Sequence, residues 1–155
     1  MSKRTLIACG WIVSVDPKIG DLKDANILIE DDKIMDIGAN LDAEADEVLD
    51  ASGLIVLPGL INAHLHVWQT GTKLIGSEWV SPDYHKNMHA NIATRYNAED
   101  TYLGNLFGAL SQIDNGTTTV LDWSHNLRDL EMAERALDGL EESGIRAVFG
   151  HGTAK

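Results

Sequence analysis

Two histidines one residue apart, His64 and His66, close the run Leu57-Pro58-Gly59-Leu60-Ile61-Asn62-Ala63-His64-Leu65-His66. In an extended chain side chains alternate faces, so Asn62, His64 and His66 share one side and Ile61, Ala63 and Leu65 the other. Two imidazoles on one face at a strand end can converge on a divalent metal ion. The same spacing also serves as a cap beside a packed core histidine, and context decides between the two.

The context is a β/α rhythm. Pro58-Gly59 punctuates the chain before the histidine strand, and a Gly-Thr-Thr-Thr-Val-Leu-Asp strand ending at Asp122 follows a helix about fifty residues later. Parallel strands with right-handed crossovers follow from a βαβαβ order. In a parallel barrel the chemistry collects at the carboxyl ends of the strands. The residues expected there are His64, His66, Trp68 and Gln69, then Asp122, Trp123, Ser124 and His125, then His151.

The strings PGLINAHLHVWQT, GTTTVLDWSHN and TLIACGWIVSVD together resemble the amidohydrolase superfamily. The similarity is to its metal-dependent deaminases and dechlorinases of aminated heterocycles, which act on cytosine, 8-oxoguanine, adenosyl nucleosides and triazines. The resemblance implies an α/β fold: the N-terminal part of a (β/α)8 TIM barrel, about three strands, preceded by a small β-sandwich module. Residues 1–57 would form half of a composite sandwich and residues 58–155 the first three β/α units. A complete barrel needs about 250 residues, and three strands are expected here, Leu60 to His66, Thr117 to Asp122 and Arg146 to Gly150. The chain thus reads as the N-terminal third of a longer enzyme, inactive by itself and homo-oligomeric when whole.

The resemblance also implies a mechanism. His64 and His66, with a histidine and an aspartate from later strands, hold one divalent ion, Zn2+ or Fe2+. Activated water attacks an electron-poor ring carbon, a carboxylate protonates the adjacent ring nitrogen, and ammonia or another leaving group departs. The general acid and base are expected beyond Lys155. Gln69, whose amide offers both a donor and an acceptor, is expected to bind the substrate. Trp68 would stack on a ring or pack beneath the loop, and His125 would line the pocket or cap a helix. Asp122 could orient a histidine, as metal-bound imidazoles usually require, or simply sit in a turn.

Two other readings stay open. One is a non-catalytic truncated remnant, and the other is a cyclic amidase of the dihydroorotase or hydantoinase type, whose metal-bridging lysine would also fall beyond Lys155. The Trp-Gln-Thr after His66 and the Asp-Trp-Ser-His-Asn after the second barrel strand favour the heterocycle hydrolases.

The remaining positions set limits. Twelve basic against 24 acidic residues leave a net charge of −12, which repels phosphate backbones and anionic lipid and argues against nucleic-acid or membrane partners. The single cysteine, Cys9, cannot form an internal disulfide, and no apolar run reaches membrane-spanning length, so a cytoplasmic protein is expected. His85 and His89 lie four apart on an expected helix, but Lys86 stands where a metalloprotease needs glutamate, and a solvated face is the simpler reading. The acidic stretch from Asp42 to Asp50 suggests only a surface turn and strand.

Elements follow from pattern. The first 55 residues alternate β-rich runs, Thr5 to Cys9, Trp11 to Val15, Ala25 to Glu30, Lys33 to Ile37 and Glu47 to Asp50, with turns at Pro17 to Gly20, Asp31-Asp32 and Gly38, predicting a small antiparallel sheet. Ser81-Pro82-Asp83 starts a helix running to about Arg95 with Tyr84, Met88 and Ile92 on one face. Asn97 caps a second helix with the apolar stripe Leu103, Leu106, Phe107, Leu110 and Ile113, ended by Asn115-Gly116. A third carries Leu130, Ala133, Leu137 and Leu140 and stops at Ser143-Gly144.

Overall fold

The computed structural model describes residues 2–39 and 41–153. They divide after Pro58 into two units.

The first unit is one five-stranded sheet. Its strands are β1 (Arg4–Val13), β2 (Asp21–Glu30), β3 (Lys33–Gly38), β4 (Glu47–Asp50) and β5 (Ile55–Val56), in the order β3-β2-β1-β4 with β5 also on β1. β1, β2 and β3 are antiparallel, but β4 and β5 run parallel to β1. The sheet is therefore mixed, not wholly antiparallel as expected. The two expected runs Thr5 to Cys9 and Trp11 to Val15 are one strand. The β1–β2 ladder slips between Ile7 and Gly10, where Cys9 adopts a positive φ of 61° and its N–H donates to Asn26 Oδ1 (2.9 Å). An irregularity inside a strand reads in sequence like a turn between two. Ile12, Ala25 and Ile27 are the buried centre of this unit.

The second unit is built on the parallel sheet β6 (Leu60–Leu65), β7 (Thr117–Leu127) and β8 (Arg146–Thr153), in that order. β7 and β8 run past the expected ends at Asp122 and Gly150, whereas β6 stops one residue before His66. Helices α2 (Ala98–Asp114) and α3 (Leu130–Ser143) make the crossovers. Asn97 starts α2 with a reciprocal capping box: its Oδ1 accepts from the Asp100 N–H (2.9 Å) and its own N–H donates to Asp100 Oδ2 (3.0 Å). Gly144, left-handed at φ 76°, ends α3.

Between β6 and α2 the chain makes a 3₁₀ turn (Val67–Thr72), helix α1 (Ser81–Tyr84), a π-helix (His85–Ile92) and a further 3₁₀ turn (Ala93–Arg95). A single regular helix from Ser81 to Arg95 is thus replaced by a composite one. The expected face is nevertheless kept: Tyr84, Met88 and Ile92 all pack in the cluster around Trp68, which Ala93 of the following turn joins.

The helix faces also differ from expectation. On α2 the buried residues are Thr101, Gly104, Asn105, Gly108 and Ala109, while Leu103, Phe107, Leu110 and Ile113 are exposed. On α3 half of the expected stripe holds, Leu140 being buried and Ala133 packed against the core, while Leu130 and Leu137 are exposed and Met132, Ala136 and Gly139 are buried instead. The reason lies in close approach. A Cβ on Gly104 would stand 2.5 Å from the Trp68 carbonyl oxygen, and one on Gly108 would stand 2.4 Å from Thr70 Oγ1. The small face of α2 seats the turn after β6, and a large-residue stripe would hold it off.

Gly104→Ala tests this contact. Alanine improves helix propensity by roughly 0.5–1 kcal/mol, but the clash with backbone forces the helix outward, which costs about 1–3 kcal/mol. Net destabilisation is expected in denaturant unfolding, and a stabilised variant would show that the approach is loose.

Candidate functional site

The histidine pair forms where regular pairing ends. The β6–β7 ladder runs Asn62 to Val120, then Leu65 to Asp122, so β6 carries one extra residue across Ala63 and His64. Such a slip re-aims side chains. His66, at φ −106° and ψ 83°, already belongs to the turn after the strand. Strict alternation is therefore broken, yet the two imidazoles still meet, with ring centroids 5.1 Å apart and planes inclined by 75°.

Both rings are held. His66 Nδ1 lies 2.7 Å from the Trp123 carbonyl oxygen. A carbonyl only accepts, so Nδ1 carries the proton and Nε2 keeps its lone pair. The exposed Trp123 indole stands edge-on to His64, with centroids 5.5 Å apart.

Behind the pair lies a run of imidazoles. The His125 ring is 3.8 Å from that of His66 and 4.7 Å from that of His89, and His85 stacks on His89 at 5.4 Å. His125 Nδ1 accepts from the Trp68 indole N–H (3.3 Å). Burial, and next the neighbouring histidines 66, 89 and 64, push the His125 pKa down to about 4. The expectation of a solvated face holds for His85 but not for His89, which is half-buried against His125. The π-helix brings them there. His151 is exposed on β8, beside Ser124 in the register.

Asp122 is fully buried. Its Oδ1 accepts from the Val67 backbone N–H (3.0 Å) and its Oδ2 from Asn105 Nδ2 (3.1 Å). Burial pushes its pKa up to about 6, against the lowering effect of those two bonds. The carboxylate thus grips backbone, where a bond to a histidine was one of the expected roles.

A cavity of about 490 Å³ opens beside the pair, lined by His64, His66, Gln69, Thr70, Trp79, Tyr84 and Met88 among others. That volume and its aromatic walls suit a small ring compound. Gln69 Nε2 donates to the Tyr84 hydroxyl (2.7 Å), leaving its carbonyl oxygen as the uncommitted group. Trp68 is 0% exposed, and neither it nor His125 lines the cavity. Sequence reasoning did not assign Trp79 or Tyr84 to the site, and it placed Trp123 at the strand end without giving it a role. Trp123 alone left a signal, as an aromatic directly after the strand-ending aspartate.

The donor set suits a divalent ion. His66 is oriented through Nδ1 with Nε2 available, and His64 stands beside it. Among the described residues, no group of three or more His, Cys, Asp or Glu side chains is arranged to hold a metal. Two imidazoles are a partial set, since catalytic zinc sites use three protein ligands. Cys9, exposed in the first unit, takes no part. Among the described residues no helix is long and apolar enough to cross a membrane.

The sequence model of the Amidohydrolase family matches residues 55–155. The 5'-deoxyadenosine deaminase of Methanosarcina acetivorans is 33% identical over 147 residues, covering 95% of this chain and 33% of that protein. Triazine hydrolase from Arthrobacter aurescens superposes with a TM-score of 0.83 at 23% identity, over 95% of this chain and 35% of its own. An adenosine deaminase from Xanthomonas campestris, solved with bound zinc, gives 0.77 at 19% identity over 93% and 33%. The α/β fold is thus that of an amidohydrolase N-terminal region, and the chain spans about a third of the length of the curated relatives it matches.

The buried carboxyl makes a pH prediction. Its folded pKa of about 6 lies above the ordinary 3.8, so its contribution to stability is fully present below 3.8 and is lost as pH rises through 6. Denaturant unfolding of chelator-treated protein at pH 4.5 and 7 should show the parent losing about 2 kcal/mol relative to Asp122→Asn over that interval. An unchanging difference would mean that Asp122 titrates normally.

Proposed function

The chain belongs to the amidohydrolase family, and from that membership we propose that it carries the first metal-binding strand of a hydrolase that deaminates or dechlorinates an aminated N-heterocycle. The observation that carries the reading is the pair His64 and His66, converging at a parallel strand end beside a ring-sized cavity. The relatives support the chemistry, since they include a deaminase of a nucleoside and a triazine hydrolase. In the proposal the three parallel strands open a (β/α)8 barrel, and residues 1–57 form a β-sandwich half.

His64 and His66 would hold one Zn2+ or Fe2+ ion. When bound, the ion supplies Lewis acidity that brings the pKa of water toward neutrality. The chain's own residues do the rest of the binding work. The Trp123 carbonyl fixes the tautomer of His66 so that Nε2 faces the ligand position. The Tyr84 hydroxyl holds the Gln69 amide, whose free oxygen can accept from a ring N–H or amino group. Trp79 and Tyr84 offer apolar walls to a planar ring. The proton-transferring groups are expected beyond Lys155, which lies outside the described residues. The proposed partner is a small heterocycle in a protein that is homo-oligomeric when whole; the net charge of −12 supports the absence of nucleic-acid and membrane partners, and the lone cysteine supports a cytoplasmic setting.

In the complete protein, replacing both His64 and His66 by alanine should abolish metal content and the release of ammonia or chloride from a panel of adenine nucleosides, guanine and triazines. Full turnover with normal zinc or iron in the double variant would sink the proposal.

In the intact enzyme, Gln69→Leu should lower kcat/KM on the turned-over substrate by the cost of an unpaired buried polar group, about 1–3 kcal/mol, with metal content unchanged. Identical kinetics would assign Gln69 to the loop scaffold.

A further inference from the structure

Two consecutive residues of β7 take hold of two consecutive residues at the exit of the histidine strand. The Trp123 carbonyl accepts from His66 Nδ1 (2.7 Å), and Asp122 Oδ1 accepts from the N–H of Val67 (3.0 Å). The backbone ladder between β6 and β7 has its last pair at Leu65 and Asp122. Beyond that point a side-chain carboxylate takes the place that a strand carbonyl would fill.

The grip is braced from behind. Asn105 Nδ2 donates both to Asp122 Oδ2 (3.1 Å) and to the Ala136 carbonyl of α3 (3.0 Å). Asn105, Asp122, Val67 and Ala136 are all 0% exposed, and none of them lines the cavity. A buried carboxylate is a costly way to satisfy one amide proton, because a neutral oxygen would need less desolvation. What it adds is strength, since charge-assisted hydrogen bonds are about twice as strong as neutral ones. That strength is applied to the residue directly after His66.

We propose that Asp122 is a positioning residue, whose carboxylate, oriented by Asn105, fixes the backbone at Val67 and thereby holds the His66 ring in the attitude a metal requires. This rests on the reading that His64 and His66 bind a divalent ion, and it adds a residue that touches neither ion nor substrate. Together with the Trp123 carbonyl, Asp122 makes a two-point clamp: one point on the ring and one on the chain that carries it.

The test uses Co2+ as the probe on the full chain, with chelator competition for affinity and the visible absorption bands for geometry. Asp122→Asn should weaken Co2+ binding by about 10–100-fold, the usual effect of removing a group that orients a ligand, and shift the bands. Asn105→Ala leaves the carboxylate but not its brace, and should change both in the same direction by a smaller factor; it also serves if Asp122→Asn fails to fold. Leu140→Ala, which truncates the core cluster that contains Val67 but removes none of the clamp's hydrogen bonds, is the control for lost stability and packing and should keep the parent's affinity and bands. Parent-like Co2+ affinity and bands in Asp122→Asn or Asn105→Ala, with His66→Ala abolishing binding, would overturn the clamp alone. Co2+ binding that survives His66→Ala, or is absent in the parent, would overturn the metal reading and the clamp with it.

Discussion

Helix α2 and the turn after the histidine strand meet almost backbone to backbone, and most of the second unit follows from that contact. Gly104 and Gly108 leave no side chain between the helix and residues 67–70. Pressed onto the helix, Val67 and Trp68 lose all contact with water. A backbone N–H buried that deeply has to find a partner in the protein, and since the strand pairing has already lapsed, the partner is Asp122. The carboxylate needs a donor of its own, and Asn105, the residue after Gly104, provides it. Close packing and the buried polar chain are thus one arrangement.

The imidazoles follow the same logic of burial. His125 sits among three other histidines and accepts a hydrogen bond from the Trp68 indole, both of which oppose a second proton on its ring. Burial and these neighbours keep the His125 ring neutral. The aromatic groups around it, Trp68, Tyr96 and Trp123, add apolar mass to that environment without competing as donors to an ion.

The parts of the molecule that depend on local rules were readable from sequence. The Asn97 cap, the Gly144 stop and the adjacency of His64 and His66 each need only a few neighbouring residues, and each stands where the pattern put it. The parts that depend on distant packing were not. The apolar stripe of α2 points away from the unit's core because the helix is seated through glycines, and a periodicity rule scores glycine as nothing. His89 looked solvated because a regular helix was assumed, whereas the wider π turn carries it to His125. Trp68 was left open between stacking on a ring and packing beneath the loop, and the turn after His66 rotates it into the interior. The run Glu47 to Asp50 was read as a strand, but its parallel pairing with β1 was missed, because pairing direction is set by the path of the connecting chain, which composition does not encode.

The grip of β7 on the exit of β6 joins residues 57 positions apart, and this has a consequence for how the protein is made. At ribosomal rates of about 5–20 residues per second, His66 is synthesised some 3–11 s before the carbonyl that sets its tautomer. During that interval the strand has no β7 to pair with, and closing so long a loop carries an entropic cost that only the returning strand can offset. The histidine pair is therefore an early piece of sequence and a late piece of structure, acquiring the geometry of a ligand set only after the second crossover strand has been translated and docked.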